Sequence, residues 1–327
     1  MGSDEVFLTG ASGFVGGHVL SALLERGYAV RALHRDGHPG PGAAQDGRVT
    51  LVQGDIRRSG ELVSVMRGCR YLVHVAAHYS FAPRRRPLAW EVNVRGTTSL
   101  LEAARTAGVE RAVVTSSSAT VGPARGRKPN EEDRPVLPRR DAGYHASKAW
   151  QEVAAEAAQL PVVLLLPTAP VGPADHRPTP TGRIVLDYMR GRIRATVVGG
   201  LNVVPVEDVA RAHVSALERG RPGERYLLGG EDLVFDDLWD RLAEATGRPA
   251  PKVRLPHSLV ETLARVDEVR CWITGAEPFI PLEGARMSRQ LMFVSSDKAV
   301  RDLGFQAGSV DAALDRAVRW YREHGYR

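Results

Sequence analysis

Two hydrophobic periods alternate through the first half of the chain. Short, almost unbroken apolar runs stand at 5–9, 28–34, 49–53, 71–76, 111–116 and 162–166, each the length of one strand. Between most of them lie segments with apolar residues at helical spacing, about 14–26, 60–67, 88–107 and 145–158. Strands that are apolar throughout need cover on both faces, so the pattern predicts a parallel sheet between two layers of helices. Right-handed crossovers then make an α/β, Rossmann-type doubly wound sheet with ligands at the carboxyl ends of its strands. After residue 166 the pattern changes, and Pro167, Pro170, Pro173, Pro178 and Pro180 interrupt any regular element. A helix is expected over 181–190, strands near 195–199 and at Val203–Pro205, a helix over 206–219, and a late strand at Tyr226–Leu228 that rejoins the sheet. Further helices are expected over 235–247, 257–270, 283–291, 297–303 and 309–324, with loops at 36–48 and 122–143.

The first strand leads into Thr9-Gly10-Ala11-Ser12-Gly13-Phe14-Val15-Gly16, and an amphipathic segment with Val15, Val19, Ala22 and Leu23 follows at once. Strand, glycine-rich turn and helix in that order form the setting in which backbone N–H groups approach a pyrophosphate at a helix N-terminus. The expected organisation is a dinucleotide-binding domain over 1–166, with about 203–232 returning to its sheet. A smaller mixed α/β region over 167–327 is expected to hold mainly substrate.

Composition narrows the field. The 327 residues are 43% apolar and 25% charged, which is ordinary for a globular chain. No run reaches the length of a membrane span and no signal peptide is visible, so the cytoplasm is the expected location. Cys69 and Cys271 lack metal-ligand spacing and read as reduced core thiols, and no metal site is expected. The net charge of +6 comes mostly from arginines dispersed among acids. The single sharp cluster, Arg84-Arg85-Arg86, has no interleaved aromatics, so no nucleic-acid partner is expected; a membrane-facing or acidic-substrate role for it stays open.

Tyr144 and Lys148 lie four residues apart at the start of a predicted helix, hence on one face. A nearby ammonium favours phenolate, and such a tyrosine exchanges protons with a substrate oxygen. Ser116-Ser117-Ser118 ends the strand 111–116, where a hydroxyl could orient that oxygen; spacing does not choose among the three.

These motifs, with Asn93-Val94-Arg95-Gly96-Thr97, occur in an order that resembles the extended short-chain dehydrogenase/reductase (NAD-dependent epimerase/dehydratase) superfamily. Pro178–Ile184, Gly200–Val204, Gly223–Glu231 and Arg286–Ser288 resemble its dihydroflavonol-4-reductase-like branch, and within that the hopanoid-associated sugar epimerases. The resemblance implies that Thr9, Gly10, Ser12, Gly13, Phe14, Val15 and Gly16 cradle a dinucleotide, with Asp55 and Ile56 at the adenine and Ala76 and Ala77 beneath its middle. It further implies Pro167 and Thr168 near the carboxamide, Tyr144 as general acid/base, Lys148 on the nicotinamide ribose, and Asn93 supporting a proton-relay water. Ser117 is the favoured serine, with Ser118 open. Val121, and Pro205 before Val206-Glu207-Asp208-Val209, depart from the usual family pattern.

The second strand ends in Arg35-Asp36. An arginine there pairs with a 2′-phosphate and favours NADP, whereas an acid accepts from ribose hydroxyls and favours NAD. The expectation is NADP, with Arg35 on the phosphate, and NAD stays open. Three activities are consistent with the whole. The first is hydride transfer to or from an aldehyde, ketone or secondary alcohol. The second is epimerisation of a nucleotide sugar or hopanoid-associated sugar, with Arg183, Arg192 and Arg194 offering charge for a diphosphate. The third is a non-catalytic NADP sensor. The substrate is expected to be a small molecule, lipid-linked or sugar-like, in a pocket to which His78–Phe81, Trp90, Trp272, Phe279 and Met292 are candidate contributors. A homodimer through the helices around 88–107 and 145–158 is what the family resemblance implies.

Overall fold

In the computed structural model, residues 4–35, 47–140 and 143–326 are described. In chain order the strands are β1 (Glu5–Thr9), β2 (Ala29–His34), β3 (Val49–Gln53), β4 (Tyr71–His74), β5 (Arg111–Thr115), β6 (Val162–Pro167), β7 (Ala169–Val171), β8 (Ala195–Thr196), β9 (Gly200–Pro205), β10 (Arg225–Leu228), β11 (Glu231–Val234), β12 (Val253–Arg254) and β13 (Leu291–Met292). The α-helices are α1 (Phe14–Glu25), α2 (Ser59–Met66), α3 (Arg86–Trp90), α4 (Thr97–Ala107), α5 (Tyr144–Glu156), α6 (Pro180–Met189), α7 (Val206–Arg219), α8 (Phe235–Thr246), α9 (His257–Thr274), α10 (Leu282–Met287), α11 (Asp297–Leu303) and α12 (Val310–Glu323).

Seven parallel strands form the main sheet in the order β10-β6-β5-β4-β1-β2-β3. Every residue of β6 and β10 is buried, as a strand covered on both faces requires. One apolar layer, including Val19, Leu23, Val209 and Leu217, lies under α1 and α7; the other, including Leu62, Leu100, Leu101 and Ala155, lies under α2, α4 and α5. The strand order turns back between β1 and β4, which opens a crevice at their carboxyl ends.

The second half builds on a smaller sheet centred on β9, which pairs with β7, β11 and β13. Of the stretch 203–232, therefore, only β10 enters the main sheet. A third core, with Leu186, Trp239, Leu314 and Tyr321, fills the space among this sheet, α6, α8 and α12. Three local expectations change. The helix predicted over 283–291 ends at Met287, and Leu291–Met292 pairs as a strand. The helix predicted over 88–107 carries a π-helical stretch, Glu91–Gly96, between α3 and α4. Pro170 does not prevent pairing of β7 with β9; a proline fits a short strand where its missing N–H is not needed.

Candidate active site

The chain turns at Gly10 with φ +83°, and a Cβ there would stand 2.6 Å from the backbone nitrogen of Ala76. Gly13 donates its N–H to the Gly10 carbonyl at 2.9 Å. At Gly16 a Cβ would lie 1.9 Å from that same carbonyl oxygen, so α1 packs directly onto the turn. No side chain caps Gly13 and no acid stands in the first turn of α1. Its leading N–H groups and partial positive charge therefore face the turn formed by Gly10–Gly13, with Ser12, Phe14 and Val15 beside them. A cradle that any Cβ would fill fits a pyrophosphate.

At one end of the crevice Arg35, Asp55 and Ile56 come together. The Arg57 guanidinium grips the Asp55 carboxylate through two nitrogens and holds its pKa below the usual carboxylate range, with Arg35 adding to the effect. Ile56 is buried against Gly96. Asp36 lies outside the described residues. Ala76 donates its N–H to Thr9 Oγ1 at 3.3 Å, and Ala77 follows, half-buried.

The other end is organised by the buried face of α5. Lys148, 2% exposed, donates to the Thr115 carbonyl at 2.7 Å and to Gln151 Oε1 at 2.5 Å. Burial pulls its pKa down to about 7, with Glu152 opposing. From Gln151 a chain of hydrogen bonds runs back to the glycine turn. Gln151 Nε2 donates to Thr97 Oγ1, whose own proton goes to the Asn93 carbonyl at 2.7 Å. Thr97 must then accept from His74 Nε2 at 2.9 Å, which makes His74 Nδ1 the acceptor of the Thr9 hydroxyl at 2.7 Å. Burial holds His74 neutral, down to about 3. Asn93 accepts from the His78 N–H at 2.7 Å and donates to Ser147 Oγ at 2.9 Å and to the His78 carbonyl at 3.1 Å. Both of its amide protons are thus spent inside the protein, and it ties the segment after β4 to α5.

Tyr144 differs from the sequence expectation. Its ring is buried, stacked at 4.1 Å beneath Tyr79 and flanked by Phe81 and His145. Burial, then Tyr79 and the Glu283 carboxylate, push its pKa well above that of a free tyrosine. The Lys148 ammonium donates instead to Thr115 and Gln151. Ser116 is also committed, because it donates to Glu152, which is itself 2.9 Å from the buried Arg225. Ser117 accepts the Ala119 N–H at 3.2 Å and caps a short turn, and Ser118 begins that turn. Both are half-buried.

A cleft of about 270 Å³ beside Tyr144 is lined by Phe81, Arg86, Glu268, Leu282, Glu283 and Arg286. Glu283 packs on Gly143, at φ +109°, and its Oε2 lies 2.9 Å from His145 Nδ1 without hydrogen-bond alignment. His78 Nε2 is buried with no hydrogen-bond partner. The apolar pocket expected from Phe81, Trp90, Trp272, Phe279 and Met292 does not form. Trp90 packs on Trp150, Met292 joins the third core, and Trp272 and Phe279 face outward. Pro167 ends β6, and Thr168 Oγ1 sits 2.8 Å from Asn202 Oδ1. Arg192 is paired with Asp187 on the surface, and Arg194 is exposed. Glu283, Gln151 and His74 escaped sequence reasoning, and Thr97 entered it only as the end of the Asn93–Thr97 motif. The one available signal was the i, i+3 spacing of Lys148 and Gln151.

A Rossmann crevice with a glycine cradle at one end and a buried tyrosine–lysine helix at the other defines a nicotinamide-dinucleotide enzyme of the short-chain dehydrogenase/reductase type. The profile of the NAD dependent epimerase/dehydratase family matches residues 6–229, and the chain belongs to that family, in its extended short-chain dehydrogenase/reductase class. It is 39% identical to a Synechocystis sp. protein provisionally named dihydroflavonol 4-reductase, across 99% of this chain and 96% of that one. It is 36% identical to sterol demethylase protein B of Methylococcus capsulatus, across 97% and 98%. The crystal structure of gox2253 superposes with a TM-score of 0.85 at 36% identity, covering 99% of each chain.

Proposed function

We propose that this protein is an NADPH-dependent reductase of an aldehyde or ketone on an apolar skeleton, with Tyr144 as the general acid. The observation that carries this reading is the environment of Tyr144. Burial, Tyr79 and Glu283 keep the phenol protonated, the form that gives a proton to a nascent alkoxide. Thr9–Gly16, Ala76, Ala77, Pro167 and Thr168 are the residues that would hold the dinucleotide, with Lys148 on its ribose. When bound, the nicotinamide supplies the hydride. Ser117 or Ser118 orients the carbonyl and stabilises the charge that grows on its oxygen. Residues 167–327 supply most of the substrate contacts. Tyr79, Phe81 and Leu282 beside the phenol, together with the likeness to a sterol demethylase protein, support a polycyclic lipid carbonyl as substrate.

The test is Tyr144→Phe. Turnover with NADPH on a panel of lipid and aromatic carbonyls should fall by at least ~100-fold, with NADPH affinity within a few-fold of the parent. Near-full activity removes Tyr144 from the mechanism. Conversion of a nucleotide sugar without net cofactor consumption would instead identify an epimerase. Comparing Ser117→Ala with Ser118→Ala assigns the serine. For the cofactor, Arg35 favours NADPH; Arg35→Ala should raise KM for NADPH by ~10-fold or more while leaving NADH little changed. A parent enzyme that prefers NADH rejects this assignment.

A further inference from the structure

Helix α9 is turned inside out. Its outward face carries Leu259, Leu263, Val266, Val269, Trp272 and Ile273, each between 43% and 65% exposed, and Phe279 just beyond it is 72% exposed. Its acids point inward. Glu261 is bonded to Arg265, Arg286 and Arg289, Glu268 to Arg86, and Asp267 to Arg270 and the Phe279 N–H. Apolar patches of this kind on a single chain mark an interaction surface.

The charge around the face says what it meets. The Glu261 side chain is 12% exposed, whereas those of Arg265, Arg286 and Arg289 are 52–63% exposed. Arg84 lies over the Trp272 ring at 5.6 Å, and Arg85, beside it, is half-exposed. Arg85 also pairs with Glu277 at 3.4 Å, and the acids here are 11–30% exposed, so most of the charge that reaches solvent around the apolar face is guanidinium. A second copy of this chain would press those guanidiniums against one another. A helix with apolar side chains outward, a tryptophan at its edge and arginines around it matches an anionic bilayer surface.

The geometry points to α9 and the Arg84–Arg86 turn as a docking surface for anionic membrane, with the apolar side chains entering the headgroup layer and the arginines pairing with lipid phosphates. This surface adjoins the cleft, which Arg86, Glu268 and Arg286 also line. The inference rests on the surface alone and is independent of the chemistry at Tyr144.

The experiment is sedimentation of the full chain with sucrose-loaded vesicles, either of phosphatidylcholine alone or mixed with phosphatidylglycerol. The protein should pellet with mixed vesicles at least ~10-fold more tightly than with phosphatidylcholine, and raised salt should release it. Tryptophan emission should shift to the blue on binding, and Trp272→Phe should remove most of that shift. Val266→Glu with Ile273→Glu, both at solvent, should weaken binding by ~10-fold or more, and Arg84→Ser with Arg85→Ser should erase the preference for phosphatidylglycerol. Absence of pelleting by the unmodified protein overturns the proposal, as does unchanged binding by the double glutamate variant. Self-association that this variant abolishes, without vesicle binding, assigns the face to a second copy and overturns it equally.

Discussion

Lys148 is the residue at which function and stability pull against each other. Its ammonium is buried, and its pKa is drawn down from 10.5 to about 7 by loss of solvent. Between those two values the unfolded chain binds the extra proton and the folded chain does not. Stability from this group therefore rises as pH climbs from 7 towards 10.5, and is lost as pH falls through 7. Replacing Lys148 by Met removes this term along with turnover. Absolute stabilities are hard to compare, because Thr115 and Gln151 lose a partner, but the pH trend is clean. The thermal midpoint of the parent should gain on that of Lys148→Met as pH rises from 7 to 10, and a pH-independent gap would show that Lys148 is not held this way. The Tyr144–Lys148 pair was legible from spacing alone. Its electrostatics were not, because spacing does not reveal that Thr115 claims the ammonium or that Tyr79 and Glu283 crowd the phenol. Those contacts come from other elements, up to 139 residues away in the case of Glu283.

At the scale of elements, adjacent glycines in α1 separate packing from propensity. Alanine is favoured over glycine inside a helix by about 1 kcal/mol. At Gly17 the nearest atom to a new Cβ is the Ala11 carbonyl oxygen at 3.5 Å, an ordinary contact. Gly17→Ala should therefore be neutral or stabilising by up to ~1 kcal/mol. At Gly16 the same Cβ would sit 1.9 Å from the Gly10 carbonyl oxygen, which is backbone of the turn itself. Gly16→Ala should cost about 1–3 kcal/mol or more through overpacking and should weaken NADPH binding by pushing α1 off the turn. Chemical denaturation and a cofactor titration of both variants check the contrast; equal behaviour would place α1 farther from the turn. The element itself was readable, since glycine punctuation between a strand and an amphipathic run has few other uses. The orientation of α9 was not. Trp272 and Phe279 were expected in a pocket, and periodicity identifies a helix without saying which side its neighbours cover. The small sheet around β9 was hidden for a related reason: strands of two or three residues leave no period to detect.

Across the whole molecule, the seven-stranded sheet follows from alternating local patterns, and the histidines buried against it contribute less stability towards acid. His213 accepts or donates at Thr115 Oγ1 (2.8 Å) and the Val209 carbonyl (2.7 Å), joining α7 to β5. Because the carbonyl only accepts, Nδ1 carries the proton and Nε2 accepts the Thr115 hydroxyl. Burial lowers the pKa of His213 from 6.5 to about 4. In that window the unfolded chain binds a proton that the folded chain refuses, so this stability is present above pH 6.5 and is lost as pH falls towards 4. His74 acts in the same direction on the helix face opposite α7. Asp175 acts the other way. Burial raises its carboxyl to about 6, so its contribution is present at low pH and fades as pH rises through that value. The net pH profile of the parent therefore mixes signs, and a difference measurement is needed. His213→Gln keeps a donor and an acceptor but cannot titrate. The parent should lose thermal stability relative to this variant as pH drops from 6.5 to 4, with a slope approaching one proton taken up on unfolding. A constant gap across that range would mean that His213 is solvated or charged in the native state, and that the contact between α7 and β5 is looser than the hydrogen bonds at Thr115 and Val209 imply.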